Sequence, residues 1–202
     1  MTATSTQMTD EEFHATMAAV HAHNIARITL LKNPDRSFDE LPSYPAMFSA
    51  QDTDLRSLPE AAQAACRDRR DTEVKATEEN KEVVSGWADS RADHEQGKGG
   101  MSREEFQRRL KERHDKNIAD FKEREDRTLE RLSKLGDQYP EHRDLIVAAY
   151  QEVSAFFTRL WDAIKSFFEN LAENILEFFR QVGKWFEDRW HDVEDWWRRT
   201  FG

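Results

Sequence analysis

The chain has 202 residues, 35% of them charged, with a formal net charge of -10 and a mean hydropathy of -0.90, so little apolar material is available for a large conventional core. Basic and acidic residues are interleaved throughout, which removes the Lys/Arg cluster that phosphate-driven nucleic-acid binding requires. The single cysteine, Cys66, excludes an intramolecular disulfide, and no apolar run approaches the roughly 20 residues of a membrane-spanning helix.

The opening residues, MTATSTQMTDEEF, carry neither a basic start nor an apolar stretch, so no conventional secretory signal is expected, and residues 1–8 read as a disordered leader. Thr9 and Glu12 have capping-box spacing and predict a helix running to about Leu31, with Phe13, Met17, Val20, Ile25 and Ile28 at three- to five-residue intervals. Asn33-Pro34 ends it. An irregular segment follows with Pro34, Pro42 and Pro45, and it is more apolar than a solvated loop needs, holding Phe38, Leu41, Tyr44, Met47 and Phe48. Together residues 9–56 form the N-terminal unit.

Residues 57–136 read as a charged helical hairpin. Ser57 and Glu60, with Pro59 between them, predict a second helix to about residue 96, whose apolar contacts are sparse: Ala62, Ala65, Cys66, Val74, Val83, Val84 and Trp87. Gly97-Lys98-Gly99-Gly100 breaks it, and Ser102 with Glu105 opens a third helix carrying Phe106, Leu110, Ile118, Phe121, Leu129, Leu132 and Leu135, stopped by Gly136. The runs RRLKERHDK and FKEREDR hold oppositely charged pairs three and four apart and read as solvated helix surface.

Pro140 starts the last unit, 137–202, which is read as one helix of up to about 60 residues and contains the most distinctive pattern in the chain. Four eleven-residue copies follow one another: FFTRLWDAIKS (156–166), FFENLAENILE (167–177), FFRQVGKWFED (178–188) and RWHDVEDWWRR (189–199). Their second column is Phe157, Phe168, Phe179, Trp190; their fifth is Leu160, Leu171, Val182, Val193; their ninth is Ile164, Ile175, Phe186, Trp197. At about 100° per residue these columns share one sector, and Phe156, Trp161, Phe167, Phe178, Trp185 and Trp196 widen it. Five of the six Trp and eight of the thirteen Phe lie in 156–202. At roughly 150–250 Å² each, these rings present on the order of 2,000 Å², several times the largest exposed patch of a usual soluble monomer. The third and second helices offer few large apolar residues to cover it. The expectation is therefore a stripe that the chain cannot hide alone: either a latent form with residues 13–48 as a shield, or an oligomer.

Eleven residues in three turns keep a stripe nearly straight along a helix. This mixed-charge repeat resembles the lipid-surface helices of exchangeable apolipoproteins and perilipins, over the last quarter of the chain and as a pattern. The resemblance implies a helix that lies in a lipid surface. No catalytic constellation accompanies it. Glu11 and His14 have Glu-x-x-His spacing without the further ligands of a di-metal site, Asp188 and His191 are looser still, and Cys66 among alanines reads as a buried thiol. The sequence thus predicts an all-α, elongated bundle or hairpin with a long C-terminal amphipathic helix. It also predicts a non-enzymatic protein without cofactor or metal, made in the cytoplasm, that associates peripherally with a membrane or lipid monolayer as a homo-oligomer, at its most specific as an α-helical pore. The alternative is a self-assembling scaffold or filament in which Phe157, Leu160, Ile164 and Phe168 form the seam between copies.

Overall fold

The computed structural model describes residues 7–30, 54–173 and 182–202, with the side chains of Leu30 and of 171–173 outside that description. The described residues fold into five helices and no strand: α1 (Asp10–Leu30), α2 (Glu60–Glu95), α3 (Arg103–Gln138), α4 (Arg143–Glu173) and α5 (Val182–Phe201). Two short 3₁₀ turns, Leu55–Ser57 and Pro140–His142, precede α2 and α4.

Local chemistry sets most of the ends. Thr9 and Glu12 form the expected capping box: the Thr9 amide donates to Glu12 Oε2 at 2.9 Å, and the Glu12 amide donates to Thr9 Oγ1 at 3.3 Å. The Glu105 amide likewise donates to Ser102 Oγ at 3.2 Å at the start of α3. Ser57 does not cap α2. The N-cap is Pro59, which makes no side-chain cap bond, and Ser57 closes the 3₁₀ turn capped by Asp54. At the far end of α2 the Lys98 amide reaches Asp93 O at 2.9 Å across Gly97, whose φ of 70° favours glycine, and the chain turns back into α3 as the Gly-rich break predicts.

Gly136 is a second difference. It does not stop α3, which runs on to Gln138; instead it makes room for a neighbour, because a Cβ there would collide with the Cζ edge of the Phe13 ring of α1. Gly136→Ala is expected to lower stability by about 1–3 kcal/mol in urea unfolding, through overpacking at this close crossing. A substitution without measurable cost would place Phe13 elsewhere.

The helices are arranged around α4. An early stretch of it, from Ile146 to Gln151, is buried on every side, as expected of a segment that is apolar nearly all round. It packs against α1, α2 and α3. α1 runs parallel to α4, with Asp10 paired to Arg143 at one end and Arg27 Nη2 3.9 Å from Asp162 Oδ2 at the other. α3 runs antiparallel to α1, where His14 Nε2 lies 2.9 Å from Asp137 Oδ1 and His21 Nε2 2.7 Å from Asp126 Oδ1. α5 lies along α2, with Lys81 Nζ 3.5 Å from Glu187 Oε1 and the Arg70 guanidinium 4.4 Å from the Trp197 ring centre.

The single C-terminal helix of about 60 residues is thereby corrected to two helices that run side by side in opposite directions. Phe156 stacks on Trp196 at 4.0 Å between ring centres and 10° between planes, and Phe167 stacks on Trp185 at 4.4 Å and 16°. Moving eleven residues forward on α4 moves the partner eleven residues back on α5. Both contacts join the first position of one repeat to the eighth of another, so the copy at 156 pairs with the copy at 189, and the copy at 167 with the one at 178. The repeat works here as a self-pairing device.

Candidate functional site

The fold changes the expected state of the aromatic stripe. Phe157, Leu160, Trp161, Ile164, Phe167, Phe168, Val182, Phe186, Val193 and Trp196 are buried, and Phe156, Trp185, Trp190 and Trp197 are half-buried. Ile175, Phe178 and Phe179 and the side chain of Leu171 lie outside the described residues, as do Leu31 and the apolar segment at 38–48. Within the described residues, then, the expectation that the chain cannot cover its own stripe is overturned. α1 packs along α4, and α2, α3 and α5 complete the cover; the rest of the expected 13–48 shield lies outside the described residues.

To that cover α3 brings apolar side chains, among them the buried Leu110, Ile118 and Phe121, and both helices add arginine. The Arg69 guanidinium lies 5.0 Å from the centre of the Phe121 ring and 5.5 Å from that of Phe157, and Arg124 lies 5.7 Å from Trp161. Planar cations on aromatic faces, with their aliphatic stems alongside, supplement the few large apolar partners that these helices supply.

Those two arginines belong to a buried ionic layer between the α2–α3 hairpin and α4. Glu73 accepts from Arg124 Nε at 2.6 Å and Nη2 at 3.1 Å, from Trp161 Nε1 at 2.6 Å, and is in close contact with Arg69. Glu125 accepts from Arg69 Nη2 at 2.9 Å, Ser154 Oγ at 2.8 Å and Tyr150 O–H at 3.1 Å. All four ionic side chains are buried, two of each sign. Burial pulls Arg69 below the usual arginine range, with the Glu125 charge opposing it. Burial, reinforced by Glu125, pushes the Tyr150 phenol well above its ordinary value, which keeps it a donor. One step along the hairpin, Asn80 Oδ1 accepts from Arg113 Nε at 2.7 Å and from Asn117 Nδ2 at 2.8 Å.

The run FKEREDR predicts a solvated face for Arg124 and Glu125, and Arg69 and Glu73 are not among the contacts expected of α2. A signal does exist. The line joining Ala62 and Cys66 to Val84 and Ala88 in steps of three and four passes through Arg69, Glu73, Thr77 and Asn80, all of them buried.

Other candidates resolve simply. Asp10, His14 and Asp137 come together with their ligand atoms within 4.8 Å of one another, but all are exposed and Asp10 is already paired with Arg143. Glu11, the expected companion of His14, is absent from that cluster. Asp188 accepts from Lys184, and His191 Nδ1 is 4.0 Å from Glu194; among the described residues this pair joins no cluster of three ligands. Cys66 is buried, and burial pushes its thiol up to about 12, leaving it neutral at physiological pH and chemically quiet. No known protein family, curated protein or solved structure matches the chain.

Proposed function

We propose that this chain is a non-enzymatic lipid-surface protein held in a latent form, in which the bundle stores the aromatic face of α4 and α5 and gives it up to a membrane or lipid monolayer. The observation that carries this reading is the composition of the interface to be opened: the stripe is held to α2 and α3 across a layer of buried ions. Paired ions inside a protein recover little more than the cost of their desolvation, so wetting them on opening loses little. Burial of the rings is the larger contribution, and a lipid surface can supply it equally well. The stacked pairs Phe156–Trp196 and Phe167–Trp185 tie α4 to α5 independently of that layer. Among the described residues no helix is long and apolar enough to cross a membrane, which favours insertion along the surface.

The test is flotation of the full-length protein with liposomes, read together with labelling of Cys66. The protein is expected to float, and Cys66, protected in buffer, to react faster with a thiol reagent once lipid is present. Trp190→Glu alters a half-buried position of the stripe and should leave the fold intact while weakening partition roughly 10- to 100-fold, the equivalent of one large apolar side chain. Dye release from the same liposomes would extend the reading to an oligomeric pore. Protein that stays at the bottom of the gradient with Cys66 protected overturns it, and a large assembly in lipid-free buffer would point instead to a scaffold.

A further inference from the structure

A cleft of about 310 Å³ opens between α2 and α3, and its lining is rich in arginine in a chain that is acidic overall. Arg69 comes from α2; Arg124, Arg127 and Arg131 follow one another along a single face of α3. Asp68 is the one acidic residue in the lining. The arginines are graded in depth: side-chain exposure rises from 3% at Arg69 and 8% at Arg124, on the floor, to 48% at Arg131 and 63% at Arg127, on the rim.

The inner faces of the floor arginines are neutralised by Glu73 and Glu125, whose other partners, Trp161, Tyr150 and Ser154, all belong to α4. Arg69 nevertheless keeps a buried Nε–H with no acceptor among the described residues. On the rim, Arg131 Nη1 lies 2.9 Å from Asp68, and Arg127 Nη1 is 3.6 Å from Glu123; all four side chains are about half exposed or more, so both pairs are weak and exchangeable. Guanidinium donors converging from two helices suit a ligand with several terminal oxygens and a charge of two, since the planar fork of arginine meets phosphate in a bidentate way. A monocarboxylate would engage a single fork. The volume lies at the lower end of small-molecule sites, enough for a phosphate with a small organic group attached.

We propose that this cleft binds a phosphomonoester, carried either by a free small molecule or by a lipid headgroup. The site does not depend on the lipid-surface reading, because a soluble phosphate is a sufficient ligand. Inorganic phosphate and glycerol 3-phosphate, titrated at constant ionic strength against acetate and chloride, should raise the Tm of the full chain saturably, by about 3–6 °C at ten times the dissociation constant. Arg127→Gln with Arg131→Gln, two exposed changes that leave the floor intact, should weaken this binding at least about tenfold. Asp68→Asn should strengthen it by up to about fivefold by freeing Arg131. Flotation with vesicles of phosphatidylcholine with and without phosphatidic acid identifies the carrier. Competition by glycerol 3-phosphate against acid-containing vesicles assigns a shared headgroup site; phosphate binding without any flotation assigns the free ligand and leaves the cleft standing when the lipid reading fails. A Tm response to phosphate no larger than to acetate, or one unchanged in the double variant, overturns the proposal.

Discussion

Replacing Glu73 by Ala is expected to lower the stability of the bundle by about 3–5 kcal/mol, a loss produced by a single polar residue on a helix with few apolar contacts. Glu73 is the shared acceptor for Arg69, Arg124 and the Trp161 indole, and it has no exposure to water. Removing it leaves two buried guanidiniums facing one remaining carboxylate and strands the indole N–H, and each such group then loses hydration without compensation. Replacing the whole layer gives the opposite sign. Arg69 and Arg124 to Met with Glu73 and Glu125 to Leu, accompanied by Tyr150→Phe, Ser154→Ala and Trp161→Phe, removes donors and acceptors together, the indole N–H included, and should leave stability unchanged or raise it by about 1–4 kcal/mol. The two variants separate fold from function. If opening releases the stripe, the Glu73→Ala protein floats with liposomes faster than the unaltered chain, and the apolar-layer protein floats more slowly despite its larger apolar content. Urea midpoints and flotation rates measured on the three proteins decide this, and equal flotation rates across a stability range of several kcal/mol would detach lipid binding from opening.

Helix existence and polarity were legible wherever a local interaction decides them. Thr9 with Glu12, Ser102 with Glu105 and the glycines at 97, 99 and 100 act within a few residues of themselves, so the sequence spacing carries the whole physical cause. Ser57 and Gly136 were misread because two local rules compete there and the rest of the molecule chooses. Asp54 captures the turn before α2, and the close approach of Phe13 explains a glycine that would otherwise look like a helix end. The aromatic stripe was legible as a stripe, since its period is a property of the helix. What it touches was not, for two reasons. The columns that align along one straight helix align equally well across an antiparallel pair, as the two ring stacks one repeat apart demonstrate. The arginines that cover Phe157 and Trp161 are the same residue type as those in solvent at Arg108 or Arg127, and only the path of the helix through the bundle distinguishes them.

Trp196→Ala is the second large effect expected, again about 3–5 kcal/mol, and it should be localised. Trp196 is the hub at which α5 meets α4. Its ring stacks on Phe156 and meets Phe157 edge-on at 5.7 Å, Trp197 at 5.9 Å and Phe201 at 6.0 Å, and its Nε1–H donates to Glu152 at 2.8 Å. Truncation opens a cavity the size of an indole and leaves the Glu152 carboxylate unpaired; Trp196→Phe would keep most of the packing and isolate the hydrogen bond, worth roughly 1.5–3 kcal/mol to a charged acceptor. The remaining links of α5 include the Trp185 stack, the buried Val182, Phe186 and Val193, the Arg70 guanidinium over Trp197, and exposed contacts such as Lys81 with Glu187. Hydrogen exchange should therefore show α5 amides losing protection well before those of α2 and α3, whose ionic layer is untouched. Such a variant presents the outer half of the aromatic face while the bundle remains folded, so it should bind liposomes without the lag that opening imposes on the parent chain. Uniform loss of protection across all five helices would mean that α5 is an integral part of one cooperative unit, and the stripe could then reach lipid only by unfolding of the whole.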